Sequence, residues 1–305
     1  MLNKTIKKKL NNKINHWLKS ISNESLVKDI RRDLVVTGGC FPSMIMNEEP
    51  NDYDCYFRTK ETVLKVAAYY ADLWNQSHGN CEVFVFDGTT NSFYGLNESA
   101  EAPDIHESHK QKDRIKMYIP HVGIAGDPKR ENPEVAEAED KDNGKYKPLF
   151  ISSNAISLSD GIQLVVRFSG EPSQIHDTYD FVHTKAYWCA KEDKVVIPAE
   201  VYEAVINKTL IYTGSKYPVC SIFRLRKFIS RGWTINAGQI FKICYQVSKL
   251  DLDDVTVLED QLIGVDYFYF ITLINKIQEA KENNINIDQG YLERIIDEIF
   301  EGEIE

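Results

Sequence analysis

Apolar residues recur along the start of the chain at spacings of three and four: Leu2, Ile6, Leu10, Ile14, Leu18 and Ile21, with Trp17 beside them. That is the period of an amphipathic helix, and it predicts helix through residues 1–33. The pattern then changes. LVVTGG, from Leu34, is a short apolar run ended by two glycines, which predicts a strand and a tight turn. CFPSMIMN reads as a turn entering a helix, with Pro42 near its first position. NDYDCYF alternates acidic and apolar residues as a strand does, ETVLKVAAYYADLWNQ is an amphipathic helix, and CEVFVF is a buried strand. Residues 88–147 are rich in Asn, Ser, Asp, Glu, Lys and Pro, and only KMYIPHVGI has the apolar content to pack. This predicts a long, partly mobile insertion with a short hairpin.

Order returns at PLFISSNAISL and GIQLVVRF, both strand-like, followed by a turn and a strand pair in the stretch from Glu171 to Pro198. From Ala199 onward each apolar run carries helical spacing. The expected organisation is a basic N-terminal helix (1–33), an α/β (α+β) head (34–195) interrupted by the polar insertion, and an all-α domain (196–305). The head should hold a mixed sheet of about five strands with helices on one side. No internal repeat at a solenoid period is present.

Charge changes this picture in one respect. The net charge is −10, from 36 basic and 46 acidic residues, which argues against wholesale coating of nucleic acid but leaves room for a local basic groove. Lys4, Lys7, Lys8, Lys9, Lys13 and Lys19 decorate the first helix, fitting either an anionic partner or a solvated face. The six cysteines are irregularly spaced and form no CxxC pair, as expected of reduced thiols in a cytoplasmic protein. No apolar run approaches the ~20 residues that span a bilayer, so no membrane partner is expected.

The candidate chemistry lies in Gly38-Gly39 and Asp52-Tyr53-Asp54. Phosphate chains need backbone N–H groups with no side chain in the way, and two glycines between a strand and a helix supply them. Carboxylates at i and i+2 of a strand share a face, so Asp52 and Asp54 can grip Mg²⁺ together. Twelve residues separate Gly39 from Asp52, a helix-length gap that makes the combination far more specific than a lone DxD.

TGG…NDYDCYF resembles the signature of the polymerase-beta-type nucleotidyltransferase superfamily, and within it the head and neck of tRNA nucleotidyltransferases and bacterial poly(A) polymerases. It is also similar to uncharacterised bacteriophage proteins of nucleotidyltransferase type. The resemblance covers roughly residues 34–57 and 150–235. It implies a nucleotidyltransferase-fold head in which Asp52 and Asp54 bind metal, Asp180 joins them, and Gly38, Gly39 and Ser43 contact the triphosphate. Arg167 ends the strand GIQLVVRF, Asp180-Phe181 stands where the family has a DFT-type motif, and SIFRLRKFISRGWTI resembles the neck helix. Arg167, Arg224 and Lys227 are accordingly expected to bind nucleotide in a cleft between head and helical domain. The implied activity is Mg²⁺-dependent transfer of a nucleoside monophosphate from an NTP to an acceptor, an RNA 3′ end by resemblance, in the host cytoplasm if phage-encoded.

The departures are specific. Pro42-Ser43 replace the family's Arg-Asp, Gln163 stands where a third acidic residue is expected, and Glu259-Asp260 lack the arginine of an EDxxR motif. They keep open a non-catalytic scaffold, or an enzyme that nucleotidylates a protein or small molecule. Arg224, Lys227 and Arg231 share a helical face that suits triphosphate, an RNA backbone or plain solvent. His183 is a candidate general base or a structural histidine. His106 and His109 lack the further ligands a zinc site needs.

Overall fold

The computed structural model describes residues 2–78, 82–95, 114–119, 124–126, 145–252 and 289–300, with isolated positions between 254 and 285. The chain divides into two compact units, Met1–Thr209 and Leu210–Glu305. The first runs past the boundary expected near 195, because the helix Ala199–Ile206 packs on the 3₁₀ turn Val182–Thr184 of the head.

Residues 1–33 form two helices rather than one, α1 (Leu2–Leu18) and α2 (Glu24–Asp33). The break has a local cause: Asn23 caps α2, its side chain accepting from the Leu26 N–H, a bond available only in the extended conformation that residue 23 adopts. Strand β1 (Leu34–Thr37) follows directly, then α3 (Cys40–Ile45), β2 (Tyr53–Phe57) and α4 (Lys60–Ser77).

The first unit is α+β, built on a mixed sheet of eight strands rather than about five. After β3 (Phe84–Asp87), β4 (Ser92–Tyr94), β5 (Ile115–Tyr118) and β6 (Ile124–Gly126) come β7 (Pro148–Ser152), β8 (Ala155–Leu158) and β9 (Ile162–Ser169). Helix α5 (Pro172–His176) then leads to β10 (Tyr187–Cys189) and β11 (Lys194–Val196). The order across the sheet is β11-β10-β1-β2-β9-β8-β7-β6, antiparallel except where β2 meets β9. CEVFVF does not join this sheet. It yields β3, which pairs with β4 and β5 in a separate three-stranded sheet. The described parts of the insertion therefore supply strands to both sheets.

Register assigns every side chain of the central strands to a face, because paired residues share one. Leu34, Val36, Cys55, Phe57, Leu164 and Trp188 lie on one side. The aromatic core fills in there: Lys13 of α1 sits 5.3 Å from the centre of the Tyr53 ring, and the Trp17 indole donates to the Tyr70 hydroxyl of α4 at 2.7 Å. The lysines of α1 are partly tied down as well, Lys7 to Asp193 at 2.7 Å and Lys9 to Glu49 at 3.0 Å. Val35, Thr37, Asp54, Tyr56, Gln163, Tyr187 and Cys189 occupy the opposite face, where Ile175 of α5 and Tyr179 cover the Val35–Tyr56–Cys189 cluster.

A buried carboxylate joins α2, β1 and α4. Asp33 accepts hydrogen bonds from Arg32 at 2.8 and 2.9 Å and from the hydroxyls of Thr59 and Thr62, both at 2.5 Å. Thr59 is the N-cap of α4, so one anion fixes where that helix starts. Burial pushes the Asp33 carboxyl up, but the guanidinium and the two hydroxyls outweigh it and hold the group at about 2. A depressed carboxylate contributes stability above its unfolded value, near 4, that is lost as pH falls through about 2. Asp33→Asn should therefore cost roughly 2 kcal/mol at pH 7. Urea melts at pH 7, 4 and 3 should show the difference from wild type shrinking as the medium is acidified.

With Ala199–Ile206 of the first unit as α6, the second unit contributes, among the described residues, helices α7 (Pro218–Ser230), α8 (Ala237–Val247) and α9 (Gln289–Phe300). Gly232, at φ +80°, turns the chain between α7 and α8, and Trp233 is buried against Phe228 rather than offered to a ligand. Glu259 and Asp260 lie outside the described residues, as do His106 and His109.

Candidate active site

β1 and β2 run antiparallel with Thr37 opposite Asp54, so the turn that leaves β1 passes over the acidic strand. Gly38 makes this approach possible. It is buried at φ +89°, and a Cβ at that position would lie 2.2 Å from a carboxylate oxygen of Asp54. No other residue fits between the turn and the carboxylate without displacing it. Gly39 differs: its φ is −62°, it is exposed, and a Cβ there would meet nothing within 4 Å. Open backbone thus adjoins the carboxylate.

Asp52 directly precedes β2. Burial alternates along the segment: Asp52 and Asp54 are half-buried, while Tyr53 and Cys55 are buried. The two aspartates therefore occupy the alternate, less buried positions of the segment. Both of their charges bear on the buried Cys40 thiol at the start of α3, which burial first, then Asp54 and Asp52, push well above its ordinary value. The Asn51-Asp52 backbone is seated on a second glycine, Gly161 at φ +64°, whose Cβ would lie 2.5 Å from the Asn51 carbonyl oxygen. Gln163 pairs with Asp54 in the parallel register and so stands beside it on the same face, offering an amide. Ser43 of α3 is half-buried, with its hydroxyl 3.4 Å from the Gly39 carbonyl.

The Asp180-Phe181 segment reaches the same turn from the other side. The Gly38 N–H donates to the Thr184 carbonyl at 3.2 Å, which fixes the 3₁₀ turn Val182–Thr184 against the end of β1. Asp180 is buried just ahead of that turn. His183 is fully buried, and burial lowers its imidazole to about 3 despite Asp180, so it is neutral at physiological pH.

Arg167 is not gathered with these groups. It lies four residues beyond Gln163 on β9, about 13 Å along the strand, buried with its guanidinium 5.4 Å from the Phe168 ring. Arg224 and Lys227 belong to α7 in the second unit, Arg224 half-buried and Lys227 exposed; Arg231 falls just past the helix end.

Sequence reasoning missed the scaffold behind the aspartates. The Thr37 hydroxyl donates to the Ala186 carbonyl at 2.7 Å, and so accepts from His176 Nε2 at 2.8 Å. Burial, then Lys185, lower His176 to about 4, which keeps the ring neutral. The signal was present in LVVT, where alternation puts Thr37 on the face of Val35, but nothing in the sequence identified a histidine 139 residues away as its partner.

Among the described residues no group of three or more His, Cys, Asp or Glu side chains is arranged to hold a metal ion. Asp52 and Asp54 are the carboxylates that could hold a cation at this turn; Mg²⁺ commonly takes one or two carboxylates and fills its remaining positions with substrate phosphate oxygens and water.

Gly38 and Gly39 give a sharp comparison. Gly38→Ala must accept a left-handed backbone and push Asp54 aside, at a cost of about 1–3 kcal/mol. Gly39→Ala, at a helical backbone angle with open space for the Cβ, should change stability by less than about 1 kcal/mol. Equilibrium urea unfolding of the two variants measures both.

Residues 8–208 match the family model of the Gabija anti-defense 2 family protein, and the match ends where the first unit does. A curated relative, Gabija anti-defense 2 of Bacillus phage SPbetaL7, is 18% identical over 280 residues, covering 91% of this chain and 52% of its own length. The chain thus spans about half the length of the curated relative it matches. A crystal structure of the Bacillus stearothermophilus CCA-adding enzyme in complex with CTP is similar over 70% of this chain and 51% of its own, at 11% identity and a TM-score of 0.25. By the match across its first unit, the chain belongs to the Gabija anti-defense 2 family.

Proposed function

We propose that this chain counteracts the Gabija defence of an infected bacterium, acting in the host cytoplasm, and that its first unit is a Mg²⁺-dependent nucleotidyltransferase. The family supports the setting. The chemistry rests on one observation, the Asp54 carboxylate held against a side-chain-free turn, with the half-buried Asp52 two residues before it. Asp52 and Asp54 would hold the cation, and the Gly38-Gly39 backbone would lie along the triphosphate. When bound, the cation neutralises phosphate charge and lowers the pKa of an attacking hydroxyl.

The reaction joins an acceptor oxygen to the α-phosphorus and breaks the bond to the β-phosphate oxygen. The acceptor hydroxyl gives its proton to a carboxylate base, Asp180 in this reading, and pyrophosphate leaves. Asp180, buried on the segment that the Gly38–Thr184 hydrogen bond ties to the turn, is the proposed third carboxylate. Resemblance to tRNA nucleotidyltransferases makes an RNA 3′ end the first acceptor to test. Gln163 favours a second reading: an amide beside Asp54 cannot take a proton from the acceptor, so the unit would bind nucleotide without transferring it.

Label transfer separates the readings. The protein is incubated with Mg²⁺, each α-labelled NTP, total RNA and the purified Gabija proteins, alongside an Asp52→Ala/Asp54→Ala variant. The expected result is transfer that falls about 100-fold or more in the variant. Transfer that survives the substitutions would sink the two-aspartate mechanism. Metal-dependent NTP binding without transfer would establish the second reading, and neither binding nor transfer would refute both.

A further inference from the structure

The charge of the chain is unevenly placed. Residues 210–250 contain seven basic side chains and no acidic one, leaving 29 of the 36 basic residues against all 46 acidic ones elsewhere. This stretch builds α7 and α8, and both helices carry large apolar side chains on their exposed surface. On α7, Ile222, Arg226 and Ile229 fall at i, i+4 and i+7, a single stripe along the helix, and all three are exposed. On α8, Ile240, Phe241 and Tyr245 lie at i, i+1 and i+5 on one side, with Phe241 71% exposed and Tyr245 55%. Lys249 stands 4.1 Å from the centre of the Tyr245 ring, placing a cation at the edge of the apolar group.

Exposing five such side chains within one helical pair leaves apolar area in water at about 25 cal/mol per Å². Patches of this kind on a charged background mark interaction sites. The mixture identifies the partner's chemistry. A nucleic-acid backbone would be met by the cations and would stack on Phe241 and Tyr245, but it offers nothing to cover three isoleucines. Aliphatic side chains at the centre with arginine and lysine around them match a protein interface.

We infer that the α7–α8 pair is a docking surface for an acidic protein surface with an apolar centre, carried by a component of the Gabija defence. The inference rests on the reading that the chain counters Gabija, and does not require nucleotidyl transfer. Electrostatic attraction between the basic stretch and an acidic partner speeds encounter, and burial of Phe241 and its neighbours slows release.

The test uses the full chain, expressed in Gabija-bearing cells challenged with a phage that Gabija restricts, and titrated in vitro against the purified Gabija proteins. Variants are Ile240→Asp/Phe241→Asp, the milder Phe241→Ala, and Arg226→Glu/Lys227→Glu, each checked for an unchanged melting temperature. Wild type should restore plaques and bind. Phe241→Ala should weaken binding at least 10-fold, and the charge-reversal variant should slow association most at low salt. Restored plaques and unaltered binding in all folded variants would overturn the docking surface while leaving the anti-defence reading in place. Wild type that restores no plaques would overturn both. Loss of binding to a single-stranded 30-mer in the variants, with Gabija binding unaffected, would reassign the surface to nucleic acid. A wild-type dimer that these substitutions dissociate, with Gabija binding unaffected, would reassign it to self-association; either result overturns the proposal.

Discussion

The approach of the Asp54 carboxylate to the backbone of Gly38 is the constraint around which the first unit is arranged. It requires β1 and β2 to be antiparallel neighbours in one register, with Thr37 opposite Asp54. A slip by a single residue would exchange the two faces, burying Asp54 among the aromatics and presenting Cys55 in its place. The aromatic core on the far side, locked by the Trp17–Tyr70 hydrogen bond, makes that slip costly. Packing on one face therefore decides what chemistry the other can present.

Polar interactions then fix details that packing leaves loose. Asp33 sets the start of α4 at one end of β1, and Thr37 with His176 sets the other. Both devices keep a polar group buried with its hydrogen bonds satisfied, which rigidifies a strand end far better than apolar contact does. The Gly38 N–H bond to Thr184 brings in the segment that follows Asp180. Three stretches remote in sequence thereby meet at one turn.

Much of this was legible in the sequence, and the reason is periodicity. Alternation in NDYDCYF places Asp52 and Asp54 on one face whatever the surrounding fold, and two successive glycines after an apolar strand announce a turn of unusual backbone. What periodicity does not carry is partnership across the chain. CEVFVF reads as a buried strand, but strand propensity says nothing about which sheet a strand joins, and it pairs with β4 and β5 in a sheet of their own. Arg167 lies near the end of an apolar strand as expected, yet the pairing of Asp54 with Gln163 places it well along β9 from the aspartates. The break at Asn23 was hidden because leucine and isoleucine continue at helical spacing on both sides of it.

The first helix is held by parts of the chain far from it in sequence. Its Asn11 and Lys7 side chains bind Asp193, and its His16 bonds with Tyr146. These partners are synthesised long after α1 itself, at a sequence separation of 182 residues for Asn11 and Asp193. During translation, Trp17 can find Tyr70 early, but the polar partners of Asn11, Lys7 and His16 arrive only when most of the first unit has left the ribosome. Contacts this remote slow folding and lengthen the exposure of apolar surface. The end of α1 that carries Lys7 and Asn11 is therefore secured last, by a residue 182 positions further along the chain.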